Sequence, residues 1–438
     1  MRNNFRSVFA ALAALALAAG LFAPPVSAVG EAENIAESII GYNLTVSGSD
    51  TAQQWLDTVL ARSIGSSEWY FFALKSYDAS LDFSVYSKAL AVYSEGGELP
   101  KAASSRQKTA LALAVCGIRN TDFMRSVLDD TVGKQGIMSY VFGLHLINNG
   151  LASSAHTADS VVRELLERQL SDGGWAVGGS YGDPDVTAMT LQALAPYYPV
   201  SAAVKTAADK ALEFLSAKQV DSGGYKSYGD ENAESSAQVI AALSALGIDI
   251  FTDARFIKKG RTVLDGMLQF RLSDGGFSHK GGAADSTATQ QVFFALSALI
   301  AFQKGESSPL LFVNSVPVLD ESAFSDLQSA QKPSSSSSEN APPQSSQSGA
   351  ASSFTTASSS NTGSESLAAS PAEDTQDGKV PEDAEDTEKS EAQDTQTGKG
   401  TGGKTALIIS AAAAAVGAGG LLWYFLKKRQ RDERQPKL

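Results

Sequence analysis

The chain has 438 residues, a formal charge of −13 at neutral pH, 43% hydrophobic residues and one cysteine. That suffices for one large domain with appendages, and the acidic balance excludes nucleic acid as a partner. Cys116 has no partner for an internal disulfide, and His145, His156 and His279 stand at no ligand spacing with it, so no metal and no cofactor is implied.

At the N-terminus, Arg2 and Arg6 precede an apolar run from Val8 to Phe22, and Val26-Ser27-Ala28 supplies small residues for cleavage. Residues 1–28 therefore read as a secretory signal peptide. From about residue 50, helix-period apolar patterning predicts outer helices near 51–63, 82–95, 122–133, 157–170, 203–218 and 256–270. Inner helices are predicted near 67–77, 105–117, 137–148, 184–197, 233–247 and 286–302. The inner set is apolar nearly all round, as in Trp69 to Leu74 and Val292 to Ile300, whereas the outer set carries charge on one face.

Three short stretches organise this part: Gln169 to Trp175, Gln219 to Tyr225 and Arg271 to Phe277. Each ends a helix, turns on paired glycines and presents one aromatic ring. Their first glycines, Gly173, Gly223 and Gly275, lie 50 and 52 residues apart, a spacing typical of a repeat architecture. Paired glycines allow positive φ, and Asp172 or Asp274 can bond its own backbone in the bend. The amides of Gln169 and Gln219 are placed to satisfy unpaired backbone groups at the helix end.

Beyond the helices, residues 306–324 read as a strap across the ring. The wider segment 306–404 reads as a stalk, Ser-rich and then acidic, too poor in apolar residues to fold. A flexible chain of roughly 80 residues spans about 50 Å. Thr405 to Leu426 gives 22 uncharged residues, followed by Lys427, Lys428 and Arg429, which reads as a transmembrane helix with residues 427–438 as a basic cytoplasmic tail. The expected topology is a single-pass protein of the cell membrane with its bulk outside.

Gln, then Gly-Gly, then an aromatic after a helix resembles the repeat of squalene-hopene cyclases and the related turns of protein prenyltransferase beta subunits. The resemblance is clearest over 157–303. It implies an all-α fold, an α/α toroid of about six helix pairs over 29–305.

The same families bear on the chemistry. Asp183-Pro184-Asp185-Val186-Thr187-Ala188 resembles the Asp-x-Asp-Asp-Thr-Ala motif of class II triterpene cyclases, with Val186 in place of the third acid. The resemblance implies Asp183 and Asp185 as catalytic acids. The plain alternative is helix capping: in the repeat register Asp183, Asn232 and Asp285 are equivalent, as are Asp185, Glu234 and Thr287, and Pro184 suits the first helical position. Prenyltransferase zinc chemistry and thioester chemistry both fail at Cys116-Gly117-Ile118-Arg119, which lacks the residues those families use.

Glycoside hydrolysis is a further enzymatic reading, with Asp185 and Glu234 at matching depth on neighbouring helices; an inverting pair would stand about 6.5–9.5 Å apart. The reading favoured by the sequence is a tethered module that binds a small or extended extracellular ligand. Its candidate binding residues are Trp175, Tyr181, Tyr228, Glu234 and Asp285. Secreted cobalamin carriers resemble single rings of this type, which keeps a corrinoid among the ligands, although the β domain that closes over it in those carriers is not visible here.

Overall fold

In the computed structural model the described residues are 26–330, apart from 97–98, 120 and 314–315. The expected transmembrane span, the stalk beyond 330 and the body of the signal peptide lie outside the described residues. No helix among the described residues is long and apolar enough to cross a membrane.

Six inner helices form a closed ring: α3 (Glu68–Tyr77), α5 (Ala103–Val115), α7 (Gly136–Asn148), α9 (Pro184–Leu194), α11 (Ala233–Ala245) and α13 (Ser286–Lys304). Each packs against the next, and α13 packs back against α3. They run in the same direction. Gln192 in the last turn of α9 meets Gln238 in the middle of α11, and Asn148 at the end of α7 donates to the Ala193 carbonyl at the end of α9. All six N-termini thus face one end of the ring, called here the mouth.

Around them lie α2 (Ala52–Thr58), α4 (Ser84–Glu95), α6 (Asp122–Thr131), α8 (Ala158–Glu167), α10 (Ala202–Lys218) and α12 (Val263–Leu268). The expected outer helices near 82–95, 122–133 and 157–170 are present with slightly tighter ends, and the one near 203–218 starts one residue earlier. The outer helix expected over 256–270 is shorter, because residues 254–256 form a 3-10 turn and α12 starts only at its Thr262 cap.

One outer helix lies before the predicted set. Helix α1 (Val26–Ser47) packs on α13, with Ala32, Ile35, Ala36 and Ile39 buried at helical spacing. The expected cleavage point after Ala28 falls in its first turn. Its role follows from the glycine turns. The first glycine of each turn has φ between 88° and 94°, and an added Cβ would strike a carbonyl oxygen on the next outer element: Lys210 on α10 at 2.6 Å, Thr262 at the start of α12, and Ser38 on α1 at 2.6 Å. Four residues on, Phe214, Gly266 and Tyr42 cover the second glycine in each case. The N-terminal helix therefore occupies the outer position that follows the third turn, and the ring closes end to end.

The turns explain themselves chemically. At Gly174 and Gly276 the second glycine is required for this close approach, not for its φ, whereas at the second turn it is Gly266 of α12 whose added Cβ would strike the backbone of Gly223 and Gly224. Asp172 and Asp274 accept from the N–H of Gly174 and Gly276, and Ser222 does the same for Gly224. Gln169 and Gln219 each bond the carbonyl of their own turn glycine and a carbonyl on the next outer element, Ala207 or Phe256. They tie one repeat to the next; they do not finish their own helix.

The far end of the ring is covered. Asn149, at the end of α7, donates to the Leu310 carbonyl and accepts from the Phe312 N–H, both at 2.8 Å. Phe312 lies 6.4 Å from Phe72, and Phe324 is fully buried. Arg163 on α8 forks onto Asp326 in α14 (Ser325–Ala330). The chain from 306 to 313 and from 316 to 330 therefore packs along the ring, and the beginning of the expected stalk belongs to the fold. Asn149→Ala should cost about 2 kcal/mol, since it leaves buried groups unpaired on both sides; faster protease cleavage near 306–313 than in wild type is the measurement that checks it.

Candidate functional site

The mouth is built from helix N-termini and the loops before them. Asp183 caps α9: its Oδ1 accepts from the N–H groups of Asp185 and Val186 at 2.9 and 3.2 Å, and Oδ2 accepts from the Ser227 hydroxyl at 2.7 Å. Asn232 and Asp285 cap α11 and α13 in the same manner. The equivalence read from the repeats thus holds in space. For Asp183 and Asp285 a capping role is visible directly, which satisfies the orphan donors of a helix start. Asp183→Ala is expected to destabilise the protein by about 1–2 kcal/mol and Asp183→Asn by much less, because the cap needs only an accepting oxygen; thermal unfolding of both variants distinguishes them.

Asp185 behaves differently. It stands one residue inside the helix, and its Oδ1 is buried with no hydrogen-bond partner among the described residues. Burial, reinforced by the neighbouring Asp183 carboxylate, pushes its pKa up to about 8. At neutral pH Asp185 is therefore mostly a protonated acid, able to donate a hydrogen bond. Ser235 and Glu234 on α11 and His279 also act on it.

Glu234 is 9% exposed and meets His279 Nδ1 at 3.0 Å through both carboxyl oxygens. This hydrogen bond raises the His279 pKa above its ordinary value. His279 lies in the loop between the third turn and α13, and its carbonyl accepts from the Ala233 N–H, so it is locked onto the start of α11. His279 was not singled out in the sequence. Its partner is in the preceding repeat, 45 residues away.

Of the expected binding residues, Trp175 is corrected. It is fully buried, and its indole N–H donates to the Leu165 carbonyl at 2.7 Å. Its backbone N–H bonds Thr187, as Phe277 bonds Thr289 in the third repeat. The aromatic of the turn is a core wedge and has no surface to offer a ligand. Tyr181 and Tyr228 do face solvent, 77% and 48% exposed, on the loops that lead into α9 and α11. Tyr228, with φ 54°, and Gly229 form the bend of a two-residue hairpin, β1 (Lys226–Ser227) and β2 (Asp230–Glu231).

Below the mouth the lumen has a floor. Trp69 of α3 meets Phe294 of α13 at 4.7 Å and Phe142 of α7 at 6.3 Å, both edge to face. Because α7 is not a ring neighbour of α3, the second contact crosses the centre of the ring. His145, one helical turn past Phe142, is held down to about 3 by burial and stays neutral. A row of amides links three of the inner helices. Gln192 Nε2 donates to Gln238 Oε1 at 2.9 Å, and Gln238 Nε2 donates to Gln291 Oε1 at 2.8 Å. A shallow groove of about 510 Å³ on the outer wall, lined by Arg62, Lys88 and Tyr93 among others, is remote from this chemistry.

No protein-family model and no curated protein matches the chain. Among solved structures it is similar to an unsaturated glucuronyl hydrolase from Bacillus sp. GL1, responsible for the degradation of glycosaminoglycan. That similarity has 13% identity and a TM-score of 0.42, and it covers 64% of this chain and 98% of the other. It is also similar to a type II terpene cyclase from Scytonema in complex with geranylgeranyl dihydroxybenzoate, at 14% identity and a TM-score of 0.38, covering 65% and 99%.

Proposed function

We propose that the chain is a ligand-binding module held at the cell surface by its C-terminal span, and that its ring receives a polar ligand at the mouth. The observation that carries this reading is Asp185: a buried carboxyl oxygen without a partner, at the rim of a lumen whose floor is aromatic and whose far end is strapped. Leaving such a group unpaired costs about 1–3 kcal/mol, which a bound hydroxyl or carbonyl would recover. Glu234, fixed by His279 on the neighbouring helix, supplies a second oriented carboxyl. Tyr181 and Tyr228 supply aromatic surface at the rim.

A second reading, a glycan-active enzyme, is favoured by one feature of the same group. An acid with a pKa near 8 is protonated at working pH, as a general acid must be, and Glu234 stands on the adjacent helix as the second carboxyl that glycoside hydrolysis requires. The full chain should be incubated with oligosaccharide, isoprenoid and corrinoid panels, with binding and turnover followed separately. Saturable binding without product, weakened about tenfold or more in Glu234→Gln, is the expected result. Product formation that disappears in Asp185→Asn would replace the binding module with the enzyme.

A further inference from the structure

Three loops carry the chain from a glycine turn to the next inner helix, and two of them are braced from within. In the first, Asp172 Oδ2 accepts from the Gly182 N–H at 2.8 Å. In the second, the Ser222 hydroxyl donates to Glu231 at 2.6 Å and the β1–β2 hairpin ties the two arms together. The third has neither brace. Asp274 accepts only from the Gly276 N–H among the described residues, and nothing lies within 4 Å of an added Cβ at the tip residues Gly281 and Gly282. A bond from the Gly281 N–H to the Ser278 hydroxyl, 3.1 Å, is local. The segment 279–283 therefore runs between two fixed points: Ser278, bonded to the Phe270 carbonyl, and Asp285, the cap of α13.

What holds this segment comes from outside it. The His279 carbonyl accepts from the Ala233 N–H at 3.0 Å, His279 Nδ1 meets both oxygens of Glu234 at 3.0 Å, and Lys280 Nζ reaches Asp230 at 2.7 Å. All three partners stand on one stretch, from β2 into the first turn of α11. The Lys280 pair is exposed on both sides and screened by solvent. The Glu234 side chain is 11% exposed, so its bond to an imidazolium is charge-assisted where little water competes.

We infer that residues 279–283 are a latch on the mouth, held down by the His279 imidazolium on the Glu234 carboxylate and released as His279 loses its proton. Its purpose rests on the mouth being the binding site, since Ser235, next to Glu234, and His279 itself both act on Asp185. A neutral imidazole still donates to Glu234, but that bond lacks the assistance of the second charge. Every charged group facing His279 bears on the pH of release. Glu234 of α11, Asp285 at the start of α13, Asp230 of β2 and Asp185 of α9 favour the imidazolium, and Lys280 on the loop opposes it. The Glu234 hydrogen bond leads this balance and holds the His279 pKa above its ordinary value of about 6.5. The contribution of the pair is thus fully present below about pH 6.5 and is lost as pH rises through the raised value.

The Ala233 amide is the reporter. It is the first residue of α11, so it has no acceptor within its own helix, and the His279 carbonyl is its partner. Amide exchange of the full chain in detergent, without ligand, should show its protection falling at least about tenfold between about pH 6 and about pH 8.5, once intrinsic exchange rates are divided out. Protection of the Gly182 amide in the braced first loop should stay constant. His279→Asn keeps a neutral donor and removes the charge; with it, Ala233 should be weakly protected at both pH values, and Glu234→Gln should do the same. The His279 side chain is half exposed, so His279→Asn decides the matter if Glu234→Gln does not fold. Constant Ala233 protection in wild type overturns the inference, as does a fall with pH that survives in His279→Asn. No ligand is present, so failure of the binding panels bears on the mouth and not on the latch.

Discussion

Gly223→Ala should lose about 3–5 kcal/mol of stability, enough to unfold a large share of the protein, whose total stability is on the order of 5–15 kcal/mol. Two costs combine at this residue. Its φ of 89° is a conformation that L side chains avoid, and its Cβ would sit well inside the contact distance of the Thr262 carbonyl oxygen on the next outer element. Gly229 separates the two costs: its φ is 99°, but nothing lies within 4 Å of an added Cβ. Gly229→Ala should therefore cost only about 1–2 kcal/mol. Denaturant unfolding of the two variants beside wild type measures the difference, and equal losses would mean that contact between repeats contributes nothing at Gly223.

The second large effect is a dependence on pH. The Asp185 pKa is raised in the folded protein to about 8, whereas an unfolded aspartate titrates near 4. Below about pH 4 both states hold the proton and the group is neutral in the balance. As pH rises from about 4 to about 8 the unfolded chain releases its proton first, so this group's contribution to stability declines through that window. Asp185→Asn removes the titration. The variant should be more stable than wild type at pH 8 by on the order of 3 kcal/mol, with a flatter profile between pH 5 and 8. Unfolding free energies of both proteins at several pH values check this; a variant that is less stable at pH 8 with an unchanged slope would contradict the burial of an acid at this position. Higher stability joined to weaker binding would also identify Asp185 as a group kept for function at a cost to the fold.

How far the sequence could be read depended on whether its signals were local. The glycine turns were legible because Asp172, Gly173, Gly174 and Trp175 act within one bend, and three copies exposed the period. The caps at Asp183, Asn232 and Asp285 were legible for the same reason. The place of α1 was not: Ser38 and Tyr42 share neither residue type nor sequence context with Lys210 and Phe214, and only ring closure across more than 200 residues makes them equivalent. The aromatic of the turn was misjudged as a binding residue because a sequence cannot say which side of a bend faces the core. Trp175 faces inward since its indole N–H finds Leu165 there.

The same division holds inside the lumen. Asp185 and Glu234 could be matched by register, and the structure places them on adjacent helices at one mouth. His279 could not, because its role exists only through Glu234 of the preceding repeat. The glutamines were visible in the sequence, yet nothing local distinguishes a lumen-facing position from a solvent-facing one. Contacts across the ring, Trp69 to Phe142 and Gln192 to Gln238 to Gln291, are what separate the two.

The central claim is that ligand enters at the mouth, over the helix-start carboxyls. Amide hydrogen exchange of the full chain with and without bound ligand tests it directly. Slower exchange on binding is predicted in the three loops around residues 179–185, 226–234 and 278–285, with residues 306–313 at the strapped end unchanged. Protection confined to the strap and the far end of the ring, with the three loops unaffected, would contradict the account.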